Sequence, residues 1–199
     1  MYHSTDEAKT TRMDALRDRA QSCTRCDLWT SRTNAVVGSG SLDAEIVLVG
    51  EAPGRTEDES GLPFVGRAGK LLDDILGKAG LSRDDVFVMN VVKCRPPNNR
   101  RPKKVEIRSC EPYLVEQLEI IEPRVIAPMG NSPLSYFFRR FGLGRAVIGG
   151  VHGEEYRVDA KWGRVTLFPL YHPAAAIYNR GLTEMLEEDM KRLAGLKGS

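Results

Sequence analysis

Four short apolar runs alternate with helix-like stretches along this chain, and that alternation restricts the fold more than any other feature. AEIVLVG (44–50), VFVMNVV (86–92), RVIAPMG (124–130) and RVTLFPLY (164–171) read as strands, because β-branched and apolar residues cluster there between turn-forming ones. Between or after them lie GRAGKLLDDILGKAG (66–80), KVEIRSCEPYLVEQLEII (104–121), SPLSYFFRRF (132–141) and TEMLEEDMKRLAGL (183–196). In the first of these, Leu71, Leu72, Ile75, Leu76 and Ala79 recur at helical spacing and make one apolar face. The alternation predicts an α/β fold of three layers, αβα, with a short, mainly parallel four-stranded central sheet. YRVDA and GRVTLF, separated by KW, are read as a hairpin that adds an antiparallel edge. The 199 residues suit one domain, with residues 1–20 as an N-terminal helix or extension.

Three segments follow strands directly: GEAPG, KCRPPNNR and HPAAA. Loops at the carboxyl ends of parallel strands build the ligand site in open sheets, so these segments are expected to meet in one cleft.

The first twenty residues are polar and charged, with no apolar run fit for a signal peptide, and no later segment is long enough to span a bilayer. A cytoplasmic protein with no membrane partner is the expectation, and in that reducing setting cysteines serve metals more than disulfides. There are four of them: Cys23, Cys26, Cys94 and Cys110. C-x2-C lets two thiolates approach one centre, and four cysteines with none left over match one four-thiolate site. Structural zinc sites use two close knuckles, whereas fifteen residues separate Cys94 from Cys110. A [4Fe–4S] cluster therefore fits better, with zinc as the alternative.

The net charge of +2 says little about partners, but residues 93–104, KCRPPNNRRPKK, hold six cations and no acid. Such a stripe can hold phosphates on a nearly neutral protein, although a solvated loop has the same composition.

Taken in order, GEAPG (50–54), GLPFVGRAG (61–69), NVVKCRPPNN (90–99) and YHPAAA (171–176), with the cysteines at these spacings, resemble the family 4 uracil-DNA glycosylases. The resemblance runs from about Cys23 to the final helix. It implies a short parallel sheet between helical layers, an iron–sulfur cluster, and excision of uracil from single- or double-stranded DNA with water as nucleophile. Residue by residue, it puts Glu51, Ala52, Phe64, Asn90 and His172 in a uracil pocket and Cys23, Cys26, Cys94 and Cys110 on the cluster.

Chemistry gives these residue types work to do. A base must leave the duplex before it can be attacked, and Phe64 offers a flat face for it to stack on. Asn90 can donate to uracil O4 and accept the N3 proton, a pattern that cytosine opposes. Negative charge develops on the departing ring, mostly at O2, and His172 is the candidate donor there. The strongly active monofunctional family orients water with an aspartate at the position occupied here by Ala52, so Glu51 and Glu57 are the catalytic carboxylates left to consider. No lysine in these motifs is placed to form a Schiff base.

For the DNA strand, the candidate contacts are Arg95, Asn99, Arg100 and Arg101 in the basic loop and Ile177, Tyr178 and Arg180 after the histidine motif. Ile177 or Tyr178 is the expected wedge. A relative that traps DNA covalently uses a histidine in an inserted basic loop; residues 95–104 contain none, which favours turnover. The chain is expected to act as a monomer, with a sliding clamp as the protein partner to consider. The competing reading is a metal-stabilised DNA or damaged-base binder without turnover, which has no need of Phe64, Asn90 and His172 together.

Overall fold

In a computed structural model that describes residues 3–198, one six-stranded sheet separates two layers of helices. The strands are β1 (Ser39–Gly40), β2 (Ile46–Gly50), β3 (Val86–Asn90), β4 (Val125–Pro128), β5 (Tyr156–Ala160) and β6 (Gly163–Leu167), in the order β1-β3-β2-β4-β6-β5. β2, β3, β4 and β6 form the expected parallel set. β5 folds back on β6 as the expected antiparallel hairpin.

The sheet therefore has six strands where four were expected. One addition is the hairpin strand; the other, β1, pairs antiparallel with β3 through Ser39↔Val88 and Gly40↔Phe87. A Ser-Gly pair carries no apolar pattern, and only backbone pairing makes it a strand. The apolar runs also overshoot the strands. Past β3 the ladder continues as Val91 N–H and Val92 N–H donate to the carbonyls of Gly50 and Glu51, which keeps Val91 and Val92 buried beyond the strand proper.

Residues of alternate parity line opposite faces, as strand geometry requires. Val47, Val49, Phe87, Met89 and Ile126 face one core with residues of α1 (His3–Gln21), α4 (Lys104–Ile121) and α5 (Asn131–Arg140). Ile46, Leu48, Val86, Val88 and Ala127 face the other, with α3 (Arg67–Lys78), α6 (Pro173–Ala176) and α7 (Arg180–Ala194). The helical stripe expected in residues 66–80 supplies Leu72, Ile75 and Leu76 to that second core. Full burial of each such side chain contributes about 1.5–3 kcal/mol.

The N-terminal helix docks on α4. Arg19 pairs with Glu116 at 2.6 Å, and buried Gln117 donates to the Val37 carbonyl at 2.8 Å. At the end of α1, Gln21 exchanges two hydrogen bonds with the backbone of Ala35, which brings the Cys23–Cys26 segment over the start of α4. Among the described residues no helix is long and apolar enough to cross a membrane.

Candidate active site

The three strand-following segments converge. A cavity of about 470 Å³ opens at the carboxyl edge of the sheet, lined by Glu51, Ala52, Glu57, Phe64, Asn90 and His172 among others. Arg100, Arg101 and Asn99 reach the same cavity from the basic loop.

Its floor depends on absent side chains. Gly50 and Asn90 are register partners at the ends of β2 and β3. A methyl group on Gly50 would lie 2.4 Å from Asn90 Oδ1 and 2.6 Å from Phe64 Cζ, so glycine is what lets these two groups close on each other. Phe64 itself has φ 53°, the left-handed region that a bulky residue enters only at a cost of order 1–3 kcal/mol.

Several bonds hold the Phe64 loop in that conformation. Arg83 donates to the Phe64 carbonyl at 2.7 Å. Glu57 Oε1 accepts the peptide N–H groups of Val65 and Gly66 at 3.0 and 2.8 Å, just ahead of α3. Gly69 in α3 packs so close that a methyl there would stand 1.7 Å from the Phe64 carbonyl oxygen.

Asn90 is 1% exposed, and its Oδ1 has no hydrogen-bond partner among the described residues. An acceptor buried and unpaired costs about 1–3 kcal/mol; Gln117 also carries such an oxygen, but of the two residues Asn90 is the one that lines the cavity, where a ligand can supply the donor.

The imidazole of His172 stands 5.6 Å from the Phe64 ring, centre to centre, tilted by 32°. His172 caps the short helix α6: its Nδ1 accepts the Ala174 N–H at 3.0 Å. Burial pushes its pKa down to about 4, against an opposing pull from Glu57. The ring is therefore neutral near pH 7, and with Nδ1 committed as an acceptor the proton belongs on Nε2.

The four cysteines also converge. Cys23, Cys26, Cys94 and Cys110 line one cavity between the end of α1, the segment after β3 and α4. Arg32 donates to Cys94 Sγ at 2.9 Å and the Lys93 N–H donates to Cys110 Sγ at 3.2 Å, the kind of donors that thiolate ligands take. Burial raises the Cys26 and Cys94 thiols and pushes Cys110 up to about 12. These thiols ionise when a cationic centre binds them. As placed, no group of three or more His, Cys, Asp or Glu among the described residues closes on a single ion.

Comparison with known proteins decides the family. Residues 37–194 match the family model described as the uracil DNA glycosylase superfamily. The chain belongs to the uracil-DNA glycosylase superfamily. Within it, the type-4 proteins are the near relatives. The chain is 48% identical to the "Type-4 uracil-DNA glycosylase" of Sulfurisphaera tokodaii over 92% of its own length and 84% of the relative's. It is 47% identical to that of Archaeoglobus fulgidus over 94% of each chain. The "Type-5 uracil-DNA glycosylase" of Pyrobaculum aerophilum stands further off, at 30% over 96% of this chain and 89% of the relative.

In this chain the basic stripe is less uniform than its composition. Lys93 is 1% exposed and points inward. Arg100 makes a two-pronged pair with Glu106 at 2.6 and 2.9 Å, two residues beyond the acid-free run. Arg95 is tied to Asn99 at 2.7 Å, while Arg101 is exposed at the cavity mouth.

Tyr178 is 79% exposed and Ile177 is half-buried, and both stand outside the cavity lining. The Arg67 guanidinium lies 5.5 Å from the Tyr178 ring centre and bonds its hydroxyl. Arg180 projects into solvent beside Glu184. His152 is held by Asp189 at 2.7 Å, outside the cavity lining.

Sequence reasoning missed Arg83, which no motif marks, and buried Asp58, which accepts the backbone N–H groups of Thr33 and Asn34. It also missed Asn131, which lines the cavity and accepts the Ile148 N–H at 2.8 Å.

Proposed function

We propose that the chain hydrolyses the N-glycosidic bond of deoxyuridine in DNA, releasing uracil and leaving an abasic site for base excision repair. The observation that carries this reading is the buried, unpartnered Asn90 Oδ1, set beside Phe64 in the same cavity as a neutral imidazole.

The flipped base stacks on Phe64, whose loop the Arg83 and Glu57 hydrogen bonds hold with the ring against Gly50. Asn90 Oδ1 accepts the uracil N3 proton and its NH2 donates to O4. Cytosine has no N3 proton to give and an amino group at C4, so it would leave Asn90 unsatisfied; penalties of that kind discriminate by several powers of ten.

As the C1′–N1 bond breaks, both electrons pass to the uracil ring while C1′ gains oxocarbenium character. His172 donates Nε2–H to the charge at O2, a contribution on the order of 3–4 kcal/mol for one well-placed donor. Water then bonds to C1′ as one of its protons passes to a carboxylate, and the departing uracil anion takes up a proton from solvent, so that neutral uracil is released. Glu51 is the carboxylate free to orient that water, since Glu57 Oε1 is committed to two peptide N–H groups. Among the described residues lining the cavity none is a lysine, which favours water over a Schiff base.

Cys23, Cys26, Cys94 and Cys110 hold one [4Fe–4S] cluster in this reading. The four thiols line one shared cavity, where they would hold the cluster's iron atoms. Bound there, it supplies structure, tying the end of α1 to the segment that leaves β3. Four cysteines without disulfides also fit a reducing, cytoplasmic compartment.

Arg101 and Lys104 engage phosphates, and exposed Tyr178 fills the space the base vacates. The test is incubation of an oligonucleotide bearing one uracil with the protein, then alkali. Cleavage at the uracil is expected, opposite guanine, opposite adenine and in a single strand; intact strands throughout would overturn the reading.

A further inference from the structure

Lysine is among the residues least often fully buried, because desolvating an ammonium costs several kcal/mol unless bonds compensate. Lys93 is nonetheless 1% exposed. It sits on the segment that leaves β3, between the base-reading end of the strand and the first ligand of the cysteine pair on that side. Leucine or methionine would fill the space more cheaply, so the amine is doing something a methyl cannot.

Its contacts show what. Lys93 Nζ reaches back three residues and donates to the Asn90 carbonyl at 2.6 Å, with Met89 Sδ at 3.8 Å. The Lys93 peptide N–H donates to Cys110 Sγ at 3.2 Å. Its carbonyl accepts the Val36 N–H at 2.7 Å. One residue is thus bonded to the cysteine site by its main chain and to the peptide of Asn90 by its side chain.

We propose that Lys93 is the positioning residue for uracil reading: it transmits the fixed geometry of the four-cysteine site to the Asn90 amide. This rests on Asn90 as the group that reads the base. The Asn90 carbonyl belongs to the peptide that follows its Cα, so a bond on that oxygen sets the direction from which the side chain leaves the backbone. A reading amide displaced by about 1 Å loses on the order of 100-fold in rate. Lys93 touches neither base nor sugar, and its effect passes through Asn90.

A double-mutant cycle separates this role from simple loss of packing, since residues that act as a unit are non-additive. The variants are Lys93→Met, Asn90→Ala and the pair, each measured for excision from a uracil oligonucleotide and for inhibition by free uracil. Visible absorbance and iron per chain report the cysteine site separately. Lys93→Met is expected to keep its colour, lower kcat/KM by about 10- to 100-fold and weaken free-uracil binding in parallel. The double variant is expected to be no slower than Asn90→Ala alone. A native rate in Lys93→Met, or losses that multiply in the pair, would overturn the proposal while leaving the pocket reading intact. A native rate in Asn90→Ala would overturn both. Should Lys93→Met fail to accumulate as folded, coloured protein, the same cycle is run with Lys93→Arg, whose broad guanidinium cannot repeat one short bond in a closed slot; the same outcomes decide.

Discussion

Gly50 and Asn90 lie side by side at the ends of β2 and β3, so close that a single methyl on Gly50 would stand 2.4 Å from Asn90 Oδ1. The same methyl would meet the Phe64 ring at 2.6 Å. Two of the three groups in the proposed uracil slot are therefore set by a hydrogen atom where any other residue has a carbon.

Gly50→Ala tests that closeness. Overpacking of this kind typically costs about 1–3 kcal/mol, and a displaced Phe64 and Asn90 should reduce kcat/KM on the order of 100-fold. Steady-state excision beside a melting curve separates the two effects. Native activity would mean that the slot tolerates what its geometry forbids.

His172 makes a pH prediction. Its pKa in the folded chain lies near 4, below the usual 6.5, so the folded state disfavours its proton. Stability linked to this group is complete above about pH 6.5 and falls away as pH drops toward 4. The neutral Nε2–H donor persists over the same range. kcat/KM should therefore show no His172 limb near pH 6.5 and should decline only toward pH 4. His172→Ala should lose about 100- to 1000-fold at neutral pH. An acid limb near 6.5 that vanishes in the variant would contradict this assignment.

The two glutamates in the cavity should fail differently. Glu57→Ala removes the acceptor of two peptide N–H groups ahead of α3. Melting temperature and activity should fall together, with about 1.5–3 kcal/mol lost per charged hydrogen bond. Glu51→Gln should lower kcat with little change in melting temperature. Equal melting losses in both would remove the distinction.

Cys23→Ala should cost visible absorbance, solubility and thermal stability at once, because the proposed cluster would tie the end of α1 to the segment after β3. Absorption spectra and melting curves on the same sample check this. A stable, colourless and fully active variant would exclude the structural role.

Tyr178→Ala should slow excision from duplex DNA by about tenfold and leave single-stranded substrate nearly unchanged, since only a duplex needs its stack filled after a base departs. The ratio of the two rates is the readout, and an equal loss on both substrates would point away from a wedge.

Much of this architecture was legible in the residues. Short continuous apolar runs and the stripe of Leu72, Ile75 and Leu76 report burial directly, so the parallel strands and α3 could be read from side chains. β1 could not, because Ser39 and Gly40 pair through backbone groups that every residue carries. Within the site, motif position brought Asn90, Phe64 and His172 to one sheet edge. The supporting groups stayed hidden for a physical reason. Arg83 and Asp58 act on main-chain atoms of distant residues, and nothing in their local sequence encodes such partners. Lys93 was counted with a surface stripe by charge alone, whereas the turn after β3 buries it.

The most direct measurement is a crystal structure of the protein with free uracil. The ring is expected on Phe64, with N3 at hydrogen-bonding distance from Asn90 Oδ1 and O2 facing His172 Nε2. Uracil bound away from this cavity, or inside it with N3 turned from Asn90, would contradict the proposed basis of recognition.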